Sequence, residues 1–342
     1  MRIFIGEYVC GGGLANQDAQ DIQNSLRLEG TAMLRSIVAD LAEIAEAVVP
    51  LDPRFGDTLT DSAATTISID REQGLWTQWI DAAKECDAAL IVAPESDGVM
   101  AKGVAMLRAS GIDVIAGSGD FLRTASDKYL TAKTLSAAGV AHPLYMTLSD
   151  RRLQDERETH SRFVVKPRDG CGTQKILTFD AFDEARAALE ENSILQAWMP
   201  GQAVSIALVA SPTQQSYLPA VSQHLADSNC EYAGGQGPLN DDAQRRATAL
   251  ASRAIAAMPP TVRGFVGLDL LLADRPGEDC VIEINPRLTT SYVGLRRMIH
   301  GNLAARLFDL ESGPVSCSAP VDAVRWTPDG RVWIHDAVAE HA

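Results

Sequence analysis

The feature that most limits what this 342-residue chain can fold into is a pair of apolar runs, 264–273 and 280–284, each broken by one carboxylate. Their lengths, and the turn residues Asp274, Arg275, Pro276 and Gly277 between them, predict two adjacent antiparallel strands. Asp269 and Glu283 then sit on facing surfaces of otherwise apolar strands. A carboxylate in such a place is costly unless it is paired or bound to a metal. Mg2+ takes one or two carboxylates together with phosphate and water oxygens, so the pair predicts a site for Mg2+ (or Mn2+). Asn285 shares the strand face of Glu283 and would add a neutral oxygen. Arg287, two residues further, could set a planar guanidinium against a phosphate or acyl phosphate.

A chain of this length exceeds one ordinary core and is expected to divide into two or three units. Hydrophobic residues at 46% and charged residues at 22% exclude a disordered or fibrous chain. The net charge of -15 argues against nucleic acid or an anionic membrane as partner, since both are gripped by dense Lys and Arg. The six cysteines form no CxxC pair, which points to reduced thiols rather than zinc or disulfides. The segment MRIFIGEYV enters a strand without a basic flank, and no run approaches 18 apolar residues. A cytoplasmic protein acting on small-molecule substrates is the expectation. A homo-oligomer stays open, because composition specifies none.

Along the chain, residues 2–6 read as a buried strand, followed by the turn Gly11-Gly12-Gly13 and a helix with apolar positions at 34, 37, 38, 41, 44, 45 and 48. A helix near 75–85, a strand at 88–93, a helix at 98–110 and the short strand IDVIAG continue the alternation of a parallel α/β unit over 1–118. From 119 to 198 the reading is a helix ending at Gly139, then strand, glycine turn, strand, helix and strand, a small α+β unit. The remainder, 199–342, holds the strand QAVSIALVA, the loop YAGGQGPLN, a helix at 241–257, the carboxylate strand pair and a closing hairpin, RWTPDGRVWI. Trp76 and Trp79 read as core, Glu95 as either a helix cap or a site residue, and His142 as isolated from any metal partner.

The segment VVKPRDGCGT ends a β-run at Lys166 and follows it with Gly170 and Gly172, whose backbone amides could cover phosphates while the lysine supplies a point charge. With Lys128 in SDKYLTAK, Gln196 in ILQAWMPG, Asp269, and the run Glu283 to Arg287, these motifs follow the order and spacing of the ATP-grasp superfamily. The chain resembles an ATP-grasp carboxylate–amine ligase over nearly its whole length. That resemblance implies the ATP-grasp fold, α/β and α+β, with an N-terminal parallel pre-ATP-grasp domain, a small lid and a C-terminal antiparallel-sheet domain. It implies ATP and Mg2+ as cofactors. It assigns Lys128 and Lys166 to the phosphates, Gly170 and Gly172 to the turn over them, and Gln196, Trp198 and Met199 to adenine. Asp269, Glu283 and Asn285 become metal ligands, and Arg287, with Lys166, neutralises charge on the transferring group. Where many members carry a ribose-binding Glu this chain has Ala203, so Gln202 is the expected substitute.

The segments GEYVCGGGL, VAPESDGVM, YAGGQGPL and EINPRLTTSYVGL look more narrowly like the tyramine–glutamate ligases of methanofuran biosynthesis. That likeness implies an amide made from L-glutamate and tyramine or tyrosine, with the first two loops facing the acceptor. A ligase for another amino acid or amine is the neighbouring reading. An ATP-binding regulator without turnover is the competing class, and such a protein would be expected to have lost one of Asp269, Glu283, Asn285 or Arg287.

Overall fold

The computed structural model describes residues 1–60, 62–150, 160–170, 176–226, 231–275 and 277–335. Pro276 of the expected turn, and Cys171 and Gly172 of the glycine turn, lie outside them. β1 (Arg2–Glu7) is followed by α1 (Asn24–Leu41), β2 (Glu46–Leu51), β3 (Thr65–Ser68), α2 (Leu75–Ala83), β4 (Ala88–Val92) and α3 (Val99–Ala109). The four strands form a parallel sheet in the order β3-β2-β1-β4. β1 and β4 are almost wholly buried, as strands covered by helices on both faces must be.

The helix expected to carry apolar positions out to 48 ends at Leu41, and β2 takes over at Glu46. Ile44, Ala45 and Val48 match a helical period by coincidence. The β-branched pair Val48-Val49 and the following Pro50 favour an extended chain, and pairing with β1 decides it. IDVIAG contributes only an isolated parallel bridge, Ala89 with Val114. Trp79 is fully buried beneath Gly6 and Gly11 and donates Nε1–H to the Gly11 carbonyl at 3.0 Å, so this Trp belongs to the core.

α4 (Gly119–Ala125) and α5 (Lys128–Ala137) lead into a smaller antiparallel sheet. It is built from β5 (Tyr145–Met146), β6 (Phe163–Pro167), β7 (Leu177–Phe179) and, after α6 (Phe182–Ala187), β8 (Ser193–Ala197), in the order β5-β8-β6-β7. Phe163, Val165, Phe182 and Leu195 give it a core of its own.

The largest sheet has eight strands among the described residues. β9 (Gln202–Ala210), β10 (Gln215–Tyr217), β11 (Val221–Leu225) and β12 (Tyr232–Gly237) precede α7 (Asp241–Ala257), β13 (Gly264–Leu272) and β14 (Cys280–Asn285). The chain closes through α8 (Tyr292–Leu295), α9 (Leu303–Leu307), β15 (Val324–Trp326) and β16 (Val332–Ile334). The order is β14-β13-β9-β11-β12-β15-β16, with β10 on β9. YAGGQG, expected as a loop, is the strand β12, paired with β11 and β15. Its glycines serve close packing rather than a turn. A Cβ on Gly235 would lie 2.4 Å from the Trp326 indole, and one on Gly234 would overlap the Trp326 carbonyl.

One face of this sheet packs with α4, α5 and α7, through Phe121, Leu135, Leu250, Ile206 and Val266. The other shares a core with α1, where Leu34, Ile37 and Val38 meet Tyr292, Leu303 and Trp326. Asp40 of α1 clamps this second junction. It accepts hydrogen bonds from the Tyr292 hydroxyl at 2.6 Å and Arg296 Nε at 2.8 Å, and all three side chains are buried or nearly so.

Candidate nucleotide and metal site

The strand pair predicted from the sequence is present, with Asp269 directly opposite Glu283 and a register break immediately after Asp269. Two further elements, α5 and β6, converge on it. α5 begins with Lys128, whose helix is started by the Asp127 side chain accepting from two backbone amides. β6 carries Lys166 inward near its end, only 7% exposed. Both ammonium groups reach Glu283 Oε2, at 3.4 Å from Lys128 and 3.5 Å from Lys166. Lys128 also donates to the Gly170 carbonyl at 2.6 Å, which ties the glycine turn to the same point.

Asp269 is held by neutral donors instead. Gln223 Nε2 on β11 reaches Oδ1 at 2.8 Å, and Asn285 Nδ2 reaches Oδ2 at 3.0 Å. The two carboxylates therefore lie side by side in unlike surroundings. Burial, with the charge of Glu283 adding to it, pushes the Asp269 carboxyl up to about 7. Burial opposes the charge of Glu283 as well, but Lys128 and Lys166 outweigh it and hold that carboxyl well below the usual range. Burial lowers the Lys166 ammonium, with Glu283 pulling the other way.

Two adjacent, partly buried carboxylates and an amide oxygen suit a hard dication that completes its shell with phosphate and water oxygens. Among the described residues no group of three or more His, Cys, Asp or Glu is placed to hold a metal by itself. The set thus fits an ion that arrives with phosphate rather than one caged by protein.

These residues line one cavity of about 370 Å³. Lys128, Lys166, Gly170, Gln196, Trp198 and Met199 line it together with Asp269, Glu283, Asn285 and Arg287. Of the expected site residues that are described, only Gln202 is missing from the lining: it is exposed, while Ala203 faces inward. Side chains alternate along β9, so the position that points into the cavity is 203 and not 202. Arg287 forms a buried ion pair with Glu95, Nε to Oε1 at 2.8 Å, so Glu95 is a site neighbour and supplies no cap to the helix that follows it.

Some members of the site were not read from the sequence. Gln223 and Ser205 are polar residues on strands, a signal like that of Asp269 but without a charge to draw attention. His142 stands behind Gln196, at 3.3 Å from its Nε2, while its own Nδ1 lies 2.8 Å from the Pro143 carbonyl. A ring that donates at Nδ1 and accepts at Nε2 is neutral, and burial accordingly lowers its pKa to about 4. The two loops expected to face an acceptor, 6–14 and 92–100, do not line the cavity; Glu29 and Met33 of α1 do. Among the described residues no helix is long and apolar enough to cross a membrane.

Residues 125–291 match the model of an ATP-grasp domain, and residues 45–120 match that of a pre ATP-grasp domain. A tyramine–L-glutamate ligase of Methanocaldococcus fervens is 24% identical over 271 residues, 78% of this chain and 82% of the relative. Its counterpart in Methanocaldococcus jannaschii is 23% identical over the same length, 78% of each chain. A solved ATP-grasp superfamily protein of Archaeoglobus fulgidus superposes with a TM-score of 0.71 at 24% identity, covering 92% of this chain and 90% of that one.

Proposed function

Because this chain belongs to the ATP-grasp superfamily, we propose that it is an ATP-dependent ligase that joins the γ-carboxylate of L-glutamate to the amine of tyramine. The observation that carries the reading is the meeting of Lys128 and Lys166 on Glu283, beside Asp269, in one cavity. Lysines so placed can cradle transferring phosphate, and carboxylates so placed can hold the ion that accompanies it.

In the first step the carboxylate oxygen takes the γ-phosphoryl group, the bond to the bridging oxygen breaks and ADP leaves. In the second the neutral amine attacks the acyl carbon, phosphate departs and the nitrogen loses a proton. Asp269, Glu283 and Asn285 would hold Mg2+, which supplies charge neutralisation on the phosphates when bound. Lys128, Lys166 and Arg287 offset the remaining negative charge. Gln196, Trp198 and Met199 form the wall against which the base would lie, and Gly170 belongs to a turn able to cover the phosphates. With little covalent chemistry for side chains to perform, positioning and electrostatics account for the catalysis.

The relatives in Methanocaldococcus support glutamate and tyramine as the substrate pair, and with it a place in methanofuran-type cofactor assembly. The direct test is ADP release with ATP, Mg2+, L-glutamate and tyramine. Turnover that requires both substrates is expected. ADP release no greater with the pair than with either alone would rule out this pair.

A further inference from the structure

The cavity runs from an anion-binding end to an end of opposite character. At the first, Lys128 and Lys166 flank Glu283. Asp269 follows through the strand pairing, and its charge acts on the hydroxyl of Tyr232. Tyr232 accepts from Trp326 Nε1 at 2.9 Å and also feels the charge of Glu29, which places these three groups together near Asp269. Met33, one turn along α1 from Glu29, lines the same end, as do Thr290 and Ser291.

Glu29 is the carboxylate of this end that the fold leaves without a use. Glu7 accepts from the Cys10 amide at 2.7 Å, and Glu95 pairs with Arg287. Glu29 is mostly buried, lines the cavity, and makes no hydrogen bond or ion pair among the described residues. Burial raises its carboxyl, with the charge of Arg287 opposing and that of Glu231 adding to it. A mostly buried charge without a partner is costly, and a cation delivered by a ligand removes that cost. The walls around it, Met33, Tyr232 and Trp326, suit a flat apolar body rather than a second polar group.

We propose that Glu29 anchors the ammonium group of the amine substrate, whose aromatic or apolar body packs against Met33, Tyr232 and Trp326. This rests on the ligase reading for its role in turnover, but not for binding. To react, the anchored ammonium gives one proton to the Glu29 carboxylate, and the neutral amine so formed attacks the acyl carbon. Glu29 is then a positioning and specificity residue that holds the acceptor while the phosphates stay at the opposite end.

The test is calorimetric binding of tyramine to the full chain in the presence of ADP and Mg2+, with 4-ethylphenol, which has no amine, as the comparison. Glu29→Gln should weaken tyramine roughly tenfold or more, the loss of one charge-assisted contact, and leave 4-ethylphenol and ADP binding unchanged. Glu29→Asp, which keeps the charge, should fall between. Unchanged ADP binding also shows that the variants are folded. Tyramine that fails to bind the wild type, or binds Glu29→Gln equally well, overturns the proposal. If tyramine binds in a Glu29-dependent way and yet no ADP is released with L-glutamate and ATP, the ligase reading fails and the anchor stands.

Discussion

Replacing Glu283 with Gln tests the centre of the site without any ligand present. In the wild type one carboxylate serves two buried ammonium groups, with side-chain exposures of 11% for Lys128 and 9% for Lys166. Removing one partner of a buried ion pair costs about 3–5 kcal/mol, because the other charge is left uncompensated. Two features temper that figure here. Asp269, freed from the repulsion of Glu283, can take over part of the compensation, and Lys166 can shed its proton. A loss of about 2–4 kcal/mol near neutral pH is therefore expected in urea unfolding.

The sign of its pH dependence follows from Lys166. Its folded-state pKa is already lowered from 10.5, and without Glu283 it falls further. The unfolded chain then binds more protons than the folded one across that window, so stability rises with pH. The loss in Glu283→Gln should be largest below the lowered Lys166 pKa and shrink as the pH approaches 10.5. A double-mutant cycle with Lys166→Met should return a coupling of about 1–3 kcal/mol. A coupling under about 0.5 kcal/mol, the scatter expected of independent sites, would refute the view that these charges hold one another in the empty site. So would a loss that does not change with pH.

Two further substitutions probe the supports of the site. Asp40→Ala strands the Tyr292 hydroxyl and Arg296 in a buried junction and should cost about 3–5 kcal/mol by urea unfolding; Asp40→Asn should cost clearly less, and equal losses for the two would count against the charge. For His142, the folded pKa of about 4 lies below the ordinary 6.5, so its neutral form contributes stability above pH 6.5 that is lost as the pH falls toward 4. That contribution is at most about 3.4 kcal/mol. His142→Asn should lack this wild-type decline, and parallel pH profiles for the two proteins would show that the ring does not titrate as described.

The carboxylate pair was legible because Asp269 and Glu283 break apolar strands, and antiparallel pairing leaves only their register to be found. The structure sets that register at a direct pair. The lysines were legible only jointly, since Lys166 before a glycine turn is ambiguous until Lys128 and the carboxylates are considered with it. Other parts were hidden for identifiable reasons. β2 carries apolar residues whose spacing also suits a helix, and only pairing with β1 separates the two readings. β12 is rich in glycine, which locally signals a loop; its glycines are required by Trp326, which lies some ninety positions away in the chain. Glu29 sits in the second turn of α1 as one polar residue among several, and becomes an inner wall only when α1 docks on the large sheet.

The clamp at Asp40 gives α1 a second meaning. Glu29 and Asp40 lie on one continuous helix, 11 residues or about 16 Å apart, and Asp40 is fastened to the segment that continues from Glu283 and Asn285. The helix works as a ruler, fixed at one end to the chain that carries the paired carboxylates and bearing the proposed amine contact at the other. Altering its length by a residue would rotate Glu29 by about 100° around the axis while leaving the lysines and carboxylates where they are. Acceptor choice in proteins built this way can thus diverge through the register of one helix, with the phosphate chemistry untouched.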